Sequence, residues 1–137
     1  ELELPGGLIY EDEYITVGAD TEIPLNGFII IATKRHVNSI ANLNTIERHE
    51  LIDYIARIIE ALRELNIVHE VTIVQEERSK HLHVWIFPCH KKYKEMFGKG
   101  VGAIKGTCEY VKNNASDEDI QQCLNTVQKL KEYFKEV

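Results

Sequence analysis

The sequence predicts an α+β fold, an antiparallel sheet covered by helices, and three features carry that reading. Short apolar or alternating runs cluster early in the chain and again near its middle. One long amphipathic stretch lies between the two clusters, and another closes the chain. The central run, residues 79–88, alternates residue by residue. Leu82, Val84 and Ile86 therefore share one strand face, and His81, His83, Trp85 and Phe87 share the other.

The elements follow in order. Residues 8–10 and 14–17 read as short strands around the acidic turn Glu11–Asp12–Glu13. Asp20 follows the second strand, and Pro24 with Asn26–Gly27 marks a turn. Residues 28–32 are a continuous apolar run, expected to be buried on both faces. A helix is predicted over 44–65, capped by Asn44 with Glu47 completing a capping box. Ile52, Ile55, Ile59, Leu62 and Leu65 form its expected buried stripe. Its other face, with Arg48, Asp53, Arg57, Glu60 and Glu64, offers no chemistry, and His49 and His69 are read as solvent-facing. Residues 68–75 should form a strand antiparallel to the histidine strand, joined to it through residues 76–80. Residues 97–102 are glycine-rich and basic but lack the ending of a P-loop, so they read as a flexible loop. A short helix is expected over 104–112, ended by Asn113–Asn114. A second then opens at a Ser116/Asp119 capping box and runs to about 134, burying Ile120, Leu124, Val127, Leu130 and Phe134.

A chain of 137 residues is long enough for one domain with a real core, expected to span 1–137. No apolar run reaches membrane length and no leader is recognisable, so no membrane partner is expected. Cys89, Cys108 and Cys123 are odd in number and widely spaced. That speaks against a disulfide framework and for a reducing, cytoplasmic setting. The net charge of −6 disfavours nucleic acid. Between Arg78 and Lys105, however, seven cations face the single acid Glu95. A positive field around a strand bearing imidazoles suits a phosphorylated small molecule.

Two histidines on one face of an apolar strand must each satisfy two ring nitrogens. A hydrogen-bonded pair at a sheet edge is the simplest account of them. Cys89 and His90 lie close enough in sequence to His81 and His83 to raise zinc, but no familiar ligand spacing occurs, so no metal is assigned.

The run His81-Leu-His83-Val-Trp85-Ile-Phe87-Pro88 resembles the signature of the histidine-triad (HIT) family, His-φ-His-φ-His-φ-φ with φ apolar, with Trp85 in place of the third histidine. Residues 8–13 resemble that family's opening strand and turn. Residues 27–36, Gly-Phe-Ile-Ile-Ile-Ala-Thr-Lys-Arg-His, resemble its Gly-His-φ-φ-φ-φ-Pro-Lys-Arg-His segment, with Phe28 in place of histidine. The likeness covers about residues 7–90, leaving 91–137 as a loop and helices outside it.

The resemblance implies a five-stranded antiparallel sheet, a homodimer, and attack on a nucleotide α-phosphate through a covalent nucleotidyl-histidine. The substrate would be a dinucleoside polyphosphate or a nucleoside phosphoramidate. His83 stands at the nucleophile's position, and His81 would hold phosphate oxygens or support it. The idle ring nitrogen of His83 should meet a backbone carbonyl. Asp20 matches an acid that contacts ribose hydroxyls, and His36 a histidine lying behind the site. Ser79 and Glu77 fall in the phosphate-facing connection, where Glu77 could pair with Arg78 or Lys80, or donate a proton. Trp85 can donate a hydrogen bond but cannot shuttle a proton near neutral pH. No cofactor is required, although a divalent cation could accompany a polyphosphate. A nucleotide-binding module without turnover, or a metal-binding protein using His81, His83, His90 and Cys89, remain the alternatives.

Overall fold

The computed structural model describes residues 7–20 and 22–135. Five short apolar segments pair because each presents one face that must leave water. They are β1 (Leu8–Glu11), β2 (Ile15–Ala19), β3 (Ile29–Thr33), β4 (Val71–Gln75) and β5 (His83–Pro88). They form one sheet in the order β1-β2-β3-β5-β4, with every neighbouring pair antiparallel. β4 begins three residues later than the expected 68. Val68 is instead buried in the loop, where its N–H and that of Ile67 bond back to the Leu62 carbonyl.

One sheet face packs on α1 (Thr45–Glu64) and α4 (Asp117–Lys135). Ile15, Val17, Ile29, Ile31, Leu82, Val84 and Ile86 meet Leu51, Ile58, Leu62, Val127 and Leu130 there. The even positions of β5 thus face the long helix, as the alternation requires. The opposite face carries a smaller core of Phe28, Ile30 and Phe87 beneath Val111 of α3 (Ile104–Asn114), with Tyr93 of α2 (Lys91–Phe97) packed against it. β3 is sandwiched between the two layers and all five of its residues are buried. In the turn before it Gly27 takes φ +85°, and an added Cβ would stand 3.1 Å from the Ile67 side chain.

The α1 capping box is present. Asn44 Oδ1 accepts from the Glu47 N–H, and Glu47 Oε1 accepts from the Asn44 N–H, both at 2.9 Å. The buried stripe of α1 is rotated from the expected one: Leu51, Tyr54, Ile55, Ile58, Ala61 and Leu62 face the core, and Ile52 is 62% exposed. Isoleucines lie on several sides of this helix, so apolar spacing alone leaves its rotational phase open. α2 was not anticipated, since it is short and no side chain caps it. The residues expected as a flexible loop contain the end of α2 and a 3₁₀ turn, Val101–Ala103, that leads into α3. The Ser116/Asp119 box opens α4 as expected. Its fully buried positions are Cys123, Thr126, Val127 and Leu130, with Ile120, Leu124 and Phe134 only partly covered.

Candidate active site

His83 is the first residue of β5 and pairs with Ala32 of β3, at the end of the sheet where the 76–80 connection arrives from β4. His81 precedes the strand. Its Nε2 donates to the carbonyl of Thr33, the last residue of β3, and its own N–H donates to Ser79 Oγ at 3.2 Å. The imidazoles of His81 and His83 lie 6.1 Å apart between ring centres, on one side of the strand.

His36 lies 4.7 Å from His81, centre to centre, so three imidazoles form a row. What holds His36 is not on the strand. Arg35 Nε and Nη2 donate to the two carboxylate oxygens of Glu47 at 2.8 and 2.9 Å. Glu47 is only 2% exposed, and the guanidinium beside it holds its carboxyl below the usual carboxylate range. Arg35 also donates to the Asn42 carbonyl at 2.8 Å. The loop after β3 is thereby tied to the first turn of α1, and His36 is carried to the back of His81.

Burial lowers the pKa of His83, and the neighbouring His81 charge lowers it further. His83 is thus neutral at neutral pH, the form of imidazole with a free lone pair. The carbonyl-bound imidazole is His81 rather than the expected His83. A donor nitrogen committed to Thr33 fixes the tautomer and orientation of His81.

His83 lines a cleft of about 290 Å³ with Val74, Glu76, Arg78, Ser79 and Trp85. Of the residues singled out in the sequence, His83, Ser79 and Trp85 line this cleft, His81 stands beside His83 without lining it, and Glu77 lies outside it. Glu77 is exposed, and its backbone carbonyl accepts from Asn38 Nδ2 at 3.2 Å. Arg78 pairs with Glu76 instead, its Nη2 reaching both carboxylate oxygens at 2.6 and 2.7 Å. Asp20 also lies away from the histidines. Ala19 pairs with Ile29, three residues along β3 from Ala32, which is roughly 10 Å. The Asp20 carboxylate accepts from the Glu22 N–H at 2.8 Å.

Phe28 and Trp85 touch one another. The Phe28 ring meets Trp85 edge to face at 5.2 Å and meets Phe87 at 5.3 Å. Phe28 belongs to the smaller core, and Trp85 packs against it.

The basic segment is divided. Arg78 is neutralised by Glu76, Lys94 binds Glu70 at 2.9 Å, and Lys92 lies 5.3 Å from the centre of the Tyr93 ring. Cys89 and His90 stand at the far end of β5, where Cys89 contacts Thr72 and His90 Nε2 bonds the Asn26 carbonyl at 2.5 Å. The ligand set of the metal-binding alternative is therefore split between opposite ends of one strand. Among the described residues no three His, Cys, Asp or Glu side chains come together to hold an ion.

Thr33, Arg35, Glu47 and Val74 were not anticipated as parts of the site. Glu47 was legible only as a cap, and nothing in its spacing from Arg35 marks the ion pair.

A five-stranded antiparallel sheet with paired imidazoles at the start of an inner strand defines an α+β protein of the histidine-motif class. The HIT domain family model matches residues 1–92, and the chain belongs to that family. Solved structures share the fold. A Plasmodium falciparum diadenosine triphosphate hydrolase is 14% identical with a TM-score of 0.64, over 96% of this chain and 78% of that one. A histidine-triad nucleotide-binding protein from Sulfolobus tokodaii is 16% identical with a TM-score of 0.64, over 93% of this chain and 85% of that one. The Caenorhabditis elegans NitFhit protein is 13% identical with a TM-score of 0.61, over 90% of this chain but only 27% of its own length. No curated protein matches the chain.

Proposed function

We propose that the protein hydrolyses or transfers a nucleotide at its α-phosphate, with His83 as nucleophile. The observation that carries this is a neutral, partly buried imidazole at the mouth of a cleft, backed by a carbonyl-anchored second imidazole. The lone pair of His83 attacks phosphorus. A P–N bond forms, and the bond from phosphorus to the leaving group breaks. Water then attacks the nucleotidyl-histidine, the P–N bond breaks, and the mononucleotide departs with His83 neutral again. His81 steadies the phosphate oxygens, Ser79 supplies a hydroxyl donor, and Asp20 reaches the ribose when substrate is bound. The covalent step requires no metal, although a divalent cation could travel with a polyphosphate. A dinucleoside polyphosphate is a fitting substrate because its leaving group departs as a stable phosphate anion, which needs no protonation by Trp85.

The chain acts in this reading as one cytoplasmic domain and as a homodimer. The half-exposed Ile73 on the edge strand β4 offers an apolar contact for a second copy, and the three free cysteines fit a reducing compartment. Trp85 favours one second reading, a nucleotide-binding module without turnover.

Adenine and guanine dinucleotides and nucleoside phosphoramidates are screened for mononucleotide release, and reactions are quenched in alkali. Turnover with nucleotide trapped on His83 is expected. Binding with neither turnover nor adduct would establish the binding module.

A further inference from the structure

A second cleft, of about 500 Å³, opens beside the His83 cleft and shares Val74, Glu76, Arg78 and Trp85 with it. Its far wall is α3, which lies wholly beyond the family match at residues 1–92. We propose that this second cleft is a nucleobase subsite, in which a flat heteroaromatic ring stacks on Trp85 and is covered by Ile104 and Cys108 of α3. The proposal rests on the nucleotide reading above and extends it to residues outside the motif.

The walls suit a base. Trp85 is braced edge-on by Phe28, so its indole is a rigid platform that loses little freedom when a ring stacks on it. Burial pushes the Cys108 thiol up, so it stays protonated and behaves as a small apolar side chain. The mouth is polar. Lys105 and Glu109 stand four residues apart on α3 and so lie on one helix face, placing donors and a carboxylate acceptor at the rim. A ring with an apolar face and a hydrogen-bonding edge matches that division. A purely aliphatic group would leave the rim unused.

The position suits a base as well. Trp85 is two residues from His83 on the same strand face, roughly 7 Å, which leaves room for a ribose between phosphate and ring. Ile23, from the segment that follows Asp20, also lines this cleft.

Trp85 is the only tryptophan in the chain, so its fluorescence reports on the two clefts it lines, and the base-free control separates them. The test titrates the protein with AMP and GMP, and with ribose 5-phosphate as the base-free control. Affinity is measured in parallel by calorimetry. Nucleotide is expected to quench Trp85 with the calorimetric Kd, whereas ribose 5-phosphate leaves the emission unchanged and binds about tenfold more weakly or worse, the order expected for one stacked base. Cys108→Phe, which fills the cleft from the α3 side, should abolish the quenching and weaken nucleotide binding by a similar factor, with ribose 5-phosphate affinity unchanged. Nucleotide that binds without altering Trp85 emission overturns the subsite and leaves the nucleotide reading standing. Failure of every ligand to bind overturns both.

Discussion

The two ends of the His83–Trp85 face are built differently. At the histidine end, His81 is fixed by a hydrogen bond to Thr33, and His36 is carried to it by the Arg35–Glu47 pair. At the aromatic end, Phe28, Trp85 and Phe87 hold one another by ring contacts under α3. One end uses directional bonds and keeps titratable groups in reach of the cleft. The other uses packing and titrates nothing. Phe28 and Trp85 touch, so the two positions form one packing unit.

The sharpest way to break the comparison is to remove one anchor from each end. His83→Ala should lower kcat by on the order of 10⁴-fold or more, because no second imidazole lines that cleft to form the P–N bond. Its nucleotide Kd should change by no more than a few-fold. Trp85→Ala should do the reverse, weakening binding while leaving the chemical step nearer wild type in single-turnover assays. A His83→Ala protein with near wild-type turnover would show that the histidine end is not the reacting end.

Trp85→His tests whether packing has displaced proton transfer. An imidazole there restores an acid beside the leaving group, and rates for poor leaving groups should rise within the ~10²–10⁴-fold range of positioned acid catalysis. The smaller ring also leaves space against Phe28. The single variant should therefore lose about 1–3 kcal/mol in urea denaturation. Phe28→His with Trp85→His, which returns both positions to the family pattern, should differ from the sum of the two single variants, since the rings are in contact. Additive effects would mean that the pair is not a unit.

Much of the frame was legible in the chain. The alternation in β5, the apolar run in β3 and both capping boxes are local signals, and each specified its element to within a residue or a few. What was not legible is what depends on contacts between elements. Arg35 and Glu47 pair across a loop that neither spacing nor composition marks. The glycine-rich, basic residues 97–102 give no sign that α3 will stand across a cleft from Trp85. Ile52 was expected in the core and lies outside it, because a helix with isoleucines on several sides has no unique apolar face. At the site, the motif showed which imidazoles share a face but not which one the Thr33 carbonyl would hold.

A smaller effect sharpens the account of the histidine end. Arg35→Ala leaves Glu47 buried with its Asn44 N–H as remaining partner, so the cost should be about 1–3 kcal/mol rather than that of a wholly orphaned charge. The loop bearing His36 should loosen, and kcat should fall by less than tenfold with KM little changed. Arg35→Lys can restore the charge but not the two-point fork, so it should recover only part of the stability. Tm and the histidine ring resonances in NMR would read both effects. An unchanged His81 spectrum in Arg35→Ala would show that His36 is held by something else.

The smallest expected effect is on stability against pH, and it contrasts the histidine end with a carboxyl pair on the opposite face. The Asp12 and Glu50 carboxyls stand close enough to perturb one another. Although burial pushes Asp12 up, hydrogen bonds from Glu50, from the Tyr14 and Ile15 N–H groups and from Tyr10 hold it low. Its hydrogen bond with Asp12, together with burial and repulsion, raises Glu50 to about 7. Glu50 Oε2 is buried with no donor to satisfy it, which fits a carboxyl that is itself the donor. The folded chain thus keeps a proton on Glu50 that the unfolded chain loses near its ordinary 4.5. That contribution is complete below about pH 4.5 and is lost as pH rises through about 7, at roughly 1 kcal/mol after solvent screening. His83 has the opposite sign. Its folded pKa is lowered, so the unfolded chain binds more protons below about 6.5, and stability falls as pH drops through that range. Just below about pH 6.5 the two slopes oppose each other, so wild type should change less with pH there than either single variant. His83→Ala removes one limb, so its stability should decline steadily from pH 4.5 to 7. Glu50→Gln keeps a donor to Asp12 but removes the other limb, so its stability should climb as pH rises towards about 6.5. Urea titrations at half-unit steps separate the two, and a Glu50→Gln protein with the wild-type slope would show that Glu50 does not hold that proton.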